Sequence, residues 1–382
     1  MLQKYPNNEI IVQPSKHRCF KDEEYKKQGA ILSEDLSECD LILGIKEIAT
    51  EILIQSKKYI FFSHTSKIKS DNSATAQGTP GMDKKALLKE ILKKKITLID
   101  YENIRDNLKK RYLGFGRFAG IVACYNSLNL YLETIGEKNM QRAYSLDSYD
   151  KIKKNVKDIN FKNAKIIDTG DGRVAKGVIE FLSFSNIKEI SINHFNKYNN
   201  DNSIFCNLTT ADYVNHKNGL NFNLQHFINH PSEYISKLEQ YLPYATMLIS
   251  AHYWDPKSPV LFKKENFQNL KNLKVIGDIT CDVNGSIPTT FKSTTIKNPY
   301  YYINKKTLEE TEKLTDSLAI MAVDNLPSEL PKDSSEEFGD AIVKEIIPYI
   351  IGKDDGRIKK ATIIENGYFC SSYRYLNDYI SS

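Results

Sequence analysis

The sequence predicts an α/β chain of two domains whose parallel sheets flank a cleft, with a C-terminal helix returning to the first domain. Three observations lead to that class. Short apolar runs alternate with segments of helical apolar spacing along most of the 382 residues, the pattern of parallel strands joined by crossover helices. Near the middle, the stretch from Lys165 to Leu182 joins an apolar run to a glycine-rich turn and then to a helical pattern. Between the halves, residues 115–136 form a long small-and-apolar helix suited to connect two domains. The division expected from these features is residues 1–135 plus 330–382 for a substrate (catalytic) domain and 136–329 for a Rossmann-like domain.

The elements follow in order. Glu9 to Val12, residues 40–46 and residues 58–63 are apolar runs with polar flanks and read as strands, as does Thr97-Leu98-Ile99-Asp100. Ser33 to Cys39 and Lys84 to Lys95 carry helical patterns. Residues 68–83, rich in Ser, Thr, Gly, Asn and Gln and containing Gly78-Thr79-Pro80-Gly81, read as a loop or insertion. In the second half, strands are expected at Lys165 to Thr169, Glu189 to His194, Leu248 to Ser250 and Val275 to Asp278. After Ala319 to Val323 the chain turns at Asp324-Asn325-Leu326-Pro327. A helix from about Ser334 to Ile351 then leads back to the first domain.

The glycine-rich turn carries the first chemistry. Gly170 permits a tight turn, Gly172 lets the backbone approach a pyrophosphate, and the amides of Arg173 and Val174 open a helix whose dipole favours an anion. This is how a dinucleotide-binding βα unit begins. The next glycine, Gly177, comes five residues after Gly172, with Ala175 at the third small position. About 20 residues after such a loop an acidic residue holds the ribose hydroxyls of NAD. Here the end of the expected second strand presents Asn193, which leaves the choice between NAD and NADP open.

Bulk properties exclude several classes. Basic and acidic residues nearly balance, 53 against 48, giving a net charge of +5. The lysine runs flank a helical pattern and read as a solvated face, with no nucleic-acid role. Six cysteines lie scattered without metal-ligand spacing, so no metal is expected and the thiols fit a reduced, cytoplasmic protein. No apolar stretch reaches the ~20 residues of a membrane span.

Several short motifs in order resemble the saccharopine dehydrogenase (lysine-forming) and lysine–ketoglutarate reductase family, within the wider alanine dehydrogenase group. They are Leu43-Gly44-Ile45-Lys46-Glu47, Phe61-Phe62-Ser63-His64-Thr65-Ser66-Lys67, Leu98-Ile99-Asp100-Tyr101-Glu102 and Phe115-Gly116-Arg117-Phe118-Ala119-Gly120. Further along stand Gly277-Asp278-Ile279-Thr280-Cys281-Asp282 and the run from Val323 to Pro331. The resemblance looks closer to the reductase half of the bifunctional lysine-degrading enzyme than to the fungal biosynthetic one.

It implies reversible joining of lysine and 2-oxoglutarate into saccharopine with NAD or NADP. Lys46 and His64 would be the acid–base pair, and Glu47, Lys67 and Glu102 the charged surroundings that tune them. Asp282 would lie near the nicotinamide, and the turn with Asp324 and Leu326 would close over it. Histidine suits proton exchange near neutral pH, and a lysine can do it where neighbours lower its pKa.

The family opens with a basic strand-and-loop motif that nothing in residues 1–20 matches. That departure leaves a truncated start, a changed substrate or impaired activity as alternatives, with a mitochondrial location open in the first case. A different amine and 2-oxo acid pair, as in opine-forming enzymes, and a catalytically idle dinucleotide-binding regulator are the competing functions. The expected partners are small molecules, and the expected assembly is a monomer or small homo-oligomer.

Overall fold

The computed structural model of the protein describes residues 1, 4–66, 68, 83–107, 109–198, 201–312 and 315–381. The chain divides into two compact units, Met1–Gly114 with Ser335–Ser382, and Phe115–Ser334. The long helix Gly116–Thr134 therefore goes with the second unit, whereas the expected boundary after residue 135 gave it to the first. Two glycines explain the difference. A Cβ on Gly120 would stand 2.0 Å from the Val174 carbonyl oxygen, and one on Gly177 2.1 Å from that of Arg117. The helices Gly116–Thr134 and Arg173–Leu182 cross backbone to backbone, so the first is anchored to the second unit's core. Gly177 serves this crossing.

In the first unit, strands β1 (Ile11–Val12) and β2 (Ile31–Leu32) form a parallel pair. Strands β3 (Leu41–Leu43), β4 (Lys58–Phe61) and β5 (Thr97–Asp100) make a parallel sheet. The helix Lys84–Lys93 starts where Asp83 accepts from the amides of Lys85 and Ala86, and buries Leu87, Leu88 and Ile91. Ser33 to Cys39 is not a helix. The Ser33 hydroxyl donates to the Asp35 carbonyl and accepts from the Asp35 amide, and the Asp35 carboxylate accepts from the Ser37 amide, local turns that compete with a helix for the same groups. The returning segment contains the helices Pro331–Glu345 and Ile347–Ile351, and Phe338 packs on Phe62 and Tyr101 with ring centroids 6.0 and 5.4 Å apart.

In the second unit, strands β6 (Lys165–Thr169), β7 (Lys188–Glu189), β8 (Ile204–Leu208), β9 (Val214–His216), β10 (Tyr234–Ser236) and β11 (Met247–Ser250) come first. Then follow β12 (Val275–Asp278), β13 (Tyr300–Asn304), β14 (Glu310–Thr311) and β15 (Ser317–Met321). Strands β9 and β10 form a separate antiparallel pair, with the helix Leu224–Asn229 between them in the chain. The others form an eight-stranded sheet, among the described residues, in the order β14-β13-β15-β12-β11-β6-β8-β7. Neighbours from β12 to β7, and β15 with β12, are parallel, whereas β13 and β14 run antiparallel at one edge. Both faces are covered. Ile166 and Ile249 join one core cluster, Ile167 and Leu248 the other.

The expected strand over Glu189 to His194 is corrected: β7 stops at Glu189, and Ser191 opens a helical turn, Ile192–Phe195. Burial explains which segment takes the inner place beside β6. Ile204, Phe205, Cys206 and Leu208 are buried, whereas Lys188 and Glu189 are exposed and suit an edge. The C-terminal segment adds β16 (Thr362–Glu365), antiparallel to β5, and β17 (Tyr368–Phe369), so the first unit's sheet reads β17-β16-β5-β4-β3. Among the described residues no helix is long and apolar enough to cross a membrane.

Candidate active site and dinucleotide loop

In the first unit, the carboxyl end of β4 carries His64. Its backbone is left-handed, with φ 52°, a conformation that costs a non-glycine residue energy and persists where surrounding structure enforces it. Phe62 stacks on the imidazole at 6.2 Å between centroids. Glu47, from the loop after β3, lies 2.7 Å from His64 Nδ1, and its side chain is 0% exposed against 16% for the imidazole. A carboxylate accepts only. With Glu47 ionised, Nδ1 therefore carries the proton, and Nε2 of the neutral ring is left as the base. Lys46 is exposed, and among the described residues it has no hydrogen bond or ion pair. Lys67 lies outside the described residues.

A second carboxylate group lies beside the pair. Asp100, at the end of β5, is fully buried and accepts from the Ser63 amide and hydroxyl and, at 2.8 Å, from the Glu102 amide. Burial pushes its pKa up to about 6, against the pull of the Ser63 hydrogen bond. Glu102, also buried, meets Arg111 at 3.0 Å. The structure thus joins Glu47 to His64 directly. It sets Asp100 against Ser63, next to His64 in the chain, and gives Glu102 an arginine partner instead of a place in the His64 pair. Asp100, Ser63 and Arg111 were not singled out in the sequence, although an aspartate closing a buried strand is a readable signal.

In the second unit, Gly170 follows β6 with φ +111°, and a Cβ there would meet the Ala251 carbonyl oxygen at 2.8 Å. Gly172 caps the ten-residue helix Arg173–Leu182 without a side-chain cap, and nothing lies within 4 Å of where its Cβ would be. The N-terminus is thereby left open to a phosphate, and the residues present fit a dinucleotide. Val174 packs against the core cluster. Asp168, buried beneath the loop, accepts from Asn207 Nδ2 at 2.8 Å, while its Oδ1 has no partner. Burial pushes its carboxyl well above the usual range. His252 shares a 2.8 Å hydrogen bond with Thr169, and burial lowers its pKa to about 4.

The remaining expected residues separate. Asp282, past β12, is pushed up to about 6 by burial and by Asp278, which takes hydrogen bonds from Ser250, Thr280 and Thr290. Cys281 Sγ reaches the Val323 carbonyl at 3.2 Å and so ties the ends of β12 and β15 together. Asp324 is exposed. Leu326 is buried in the core around the helix Gly116–Thr134, and Asn193 is exposed on its helical turn.

One group with metal-ligand atoms within 4.8 Å of one another occurs among the described residues, His216, His226 and Glu233. His216 Nδ1 accepts from the Asn218 amide, so its Nε2 carries the proton toward Glu233 Oε2 at 3.3 Å. That tautomer makes a hydrogen bond and leaves no lone pair for a cation.

Comparison with known proteins agrees with this anatomy. Residues 2–122 match the alanine dehydrogenase/PNT N-terminal domain and residues 207–372 the alanine dehydrogenase/PNT C-terminal domain. The chain belongs to the alanine dehydrogenase/PNT family. Among solved structures, an L-alanine dehydrogenase superposes with a TM-score of 0.60 at 12% identity, over 99% of this chain and 92% of that one. A transhydrogenase from Sinorhizobium meliloti gives 0.57 at 11%, over 96% and 93%. Both show the fold alone.

Sequence relatives include an alpha-aminoadipic semialdehyde synthase of Arabidopsis thaliana, 29% identical over 96% of this chain and 38% of that protein. A mitochondrial one from Bos taurus is 28% identical over 96% and 44%. A saccharopine dehydrogenase (NAD(+), L-lysine-forming) of Yarrowia lipolytica is 23% identical over 89% and 83%. The chain spans about two fifths of the length of the semialdehyde synthases it matches.

Proposed function

We propose that this family member is an NAD(P)-dependent oxidoreductase acting on the C–N bond of a saccharopine-like substrate, reversibly joining lysine and 2-oxoglutarate. The observation that carries it is the His64–Glu47 pair, 2.7 Å apart with the carboxylate wholly buried. The similarity to saccharopine dehydrogenase and the semialdehyde synthases supports the substrate class. The nicotinamide supplies chemistry the side chains lack, taking or giving a hydride at the carbon bound to the amine nitrogen.

In the oxidative direction, His64 Nε2 takes the proton from the substrate's secondary amine. The freed lone pair on nitrogen then drives out the hydride and an imine forms. Glu47 stabilises the imidazolium through Nδ1–H and keeps the ring oriented. Water adds to the imine carbon, and a proton moves from that oxygen to nitrogen. Cleavage of the carbinolamine releases the amine and a 2-oxo acid. Lys46, exposed next to Glu47 in the chain, is the second acid–base group for this water step. Gly170, Gly172 and the amides of Arg173 and Val174 hold the dinucleotide phosphates, while Asp282 and the turn with Asp324 are its nicotinamide-end contacts.

The test is loss of NADH or NADPH absorbance with lysine plus 2-oxoglutarate, with His64→Ala alongside. Turnover that vanishes in the variant supports the proposal. Intact dinucleotide binding with no turnover on this pair refutes the substrate and turns the search to other amine and oxo-acid pairs.

A further inference from the structure

The strand that follows the glycine-loop helix is not the strand beside the loop. Among the described residues strand β7 pairs with β8 alone, and β8 lies between it and β6. In open α/β sheets a ligand sits outside the carboxyl ends of the strands, and the residue that reads the ribose comes from the strand next to the glycine loop. Here that strand is β8. Thr169 stands opposite Leu208 in the register, and the Gly170 amide donates to the Leu208 carbonyl at 2.8 Å. Asn207 Nδ2 donates to the Gly170 carbonyl at 3.0 Å and clips the loop to the same strand end. The end of β7 lies one strand further out, about 4.8 Å, and Asn193 is carried away on its own turn.

The chain leaving β8 is Leu208-Thr209-Thr210-Ala211-Asp212. Asp212 turns its carboxylate back to the strand end, where Oδ2 accepts from the Thr209 amide at 2.8 Å and the Thr209 hydroxyl at 2.6 Å. From Ile204 to Tyr213 there is no Lys or Arg. Arg173 stands at the start of the helix whose amides face the phosphates, and Asp171 adds a second carboxylate to the loop.

Resting on the dinucleotide reading above, we propose that Asp212 at the end of β8 is the residue that reads the adenine ribose and sets a preference for NAD(H) over NADP(H). A ribose 2′-hydroxyl can donate to this carboxylate. A 2′-phosphate would bring two like charges against it with no cation in the segment to offset them.

The experiment is titration of the full chain with NADH and with NADPH, read by nicotinamide fluorescence and calorimetry. Asp212→Asn, Thr210→Arg and Glu189→Gln variants are measured alongside. NADH should bind roughly tenfold or more tightly than NADPH. Asp212→Asn should narrow that ratio, and Thr210→Arg, which leaves the Asp212 cap in place, should raise NADPH affinity. Glu189→Gln, at the end of the displaced strand, should leave the ratio unchanged. Equal affinities, a preference for NADPH, or a ratio that ignores Asp212→Asn and Thr210→Arg while both variants melt normally would overturn the assignment. So would a shift of the ratio in Glu189→Gln. Binding of neither dinucleotide would instead defeat the broader reading of the glycine loop.

Discussion

Gly177→Ala sets two opposing effects against each other. In an isolated helix, alanine is favoured over glycine by about 1 kcal/mol. In this helix the new methyl would stand 2.1 Å from the Arg117 carbonyl oxygen and 3.0 Å from its carbon, both backbone atoms that no side-chain rotation can clear. Ordinary contact begins near 3.4 Å, so the helices Gly116–Thr134 and Arg173–Leu182 must separate by about 1 Å along their crossing. Overpacking of this kind costs about 1–3 kcal/mol, and a backbone-to-backbone clash belongs at or above the upper end. The net expectation is a loss of about 2 kcal/mol, which for a unit of this size lowers the melting temperature by about 4–8 °C.

Gly339 provides the control. It lies in the helix Pro331–Glu345 with nothing within 4 Å of its Cβ position, so Gly339→Ala should stabilise by roughly 0.5–1 kcal/mol. Urea unfolding of both variants, followed by circular dichroism, is the assay. A stabilised Gly177→Ala, moving in the same direction as Gly339→Ala, would refute the close helix crossing.

Three further outcomes follow from the sites. His64→Ala should lose about 10²–10⁴-fold in kcat with little change in dinucleotide affinity, and Glu47→Gln part of that, measured by NADH oxidation and NADH titration. Asp100 has its folded pKa raised to about 6 from 3.8, so its contribution to stability is fullest below pH 4 and is lost as pH rises through 6. Asp100→Asn should flatten the change in urea midpoint between pH 4 and pH 6.5. His252 has its folded pKa lowered to about 4, so the unfolded chain takes up its proton first and stability falls as pH drops from 6.5 towards 4. A His252→Asn variant should lose part of that acid sensitivity, seen in melting temperatures at pH 7 and pH 5.

The glycine loop and the helix Gly116–Thr134 were legible because each is spelled in adjacent residues, Gly170-Asp171-Gly172 in one case and a 19-residue stretch dominated by small and apolar positions in the other. The pairing of His64 with Glu47 was legible only as two members of separate motifs, since no local spacing brings residues 17 apart within 2.7 Å. Asn193 was misplaced because the segment from Glu189 has strand-like alternation, yet the competition for the place beside β6 was decided by burial. Ile204–Leu208 fills that place on both faces and Lys188–Glu189 cannot. The Thr209-x-x-Asp212 capping box directly after that apolar run was the available clue. Ser33 to Cys39 failed for the opposite reason, because side-chain hydrogen bonds of Ser33 and Asp35 capture the backbone before a helix can. Strand β16, and β17 which pairs on it, were missed because the partner of β16, β5, lies more than 260 residues earlier.

That distance bears on how the molecule is made. Phe115–Ser334 is one contiguous stretch, so during synthesis it can finish folding before Ser335–Ser382 of its host is translated. The host sheet waits. Until Thr362–Glu365 emerges, the open side of β5 has no neighbour, and a bare strand edge invites pairing with another nascent chain. Truncations or stalled ribosomes that stop short of residue 362 should therefore yield a soluble inserted unit attached to an aggregating host. Strands β16 and β17 act as the closing stitch of a sheet begun with Leu41–Leu43.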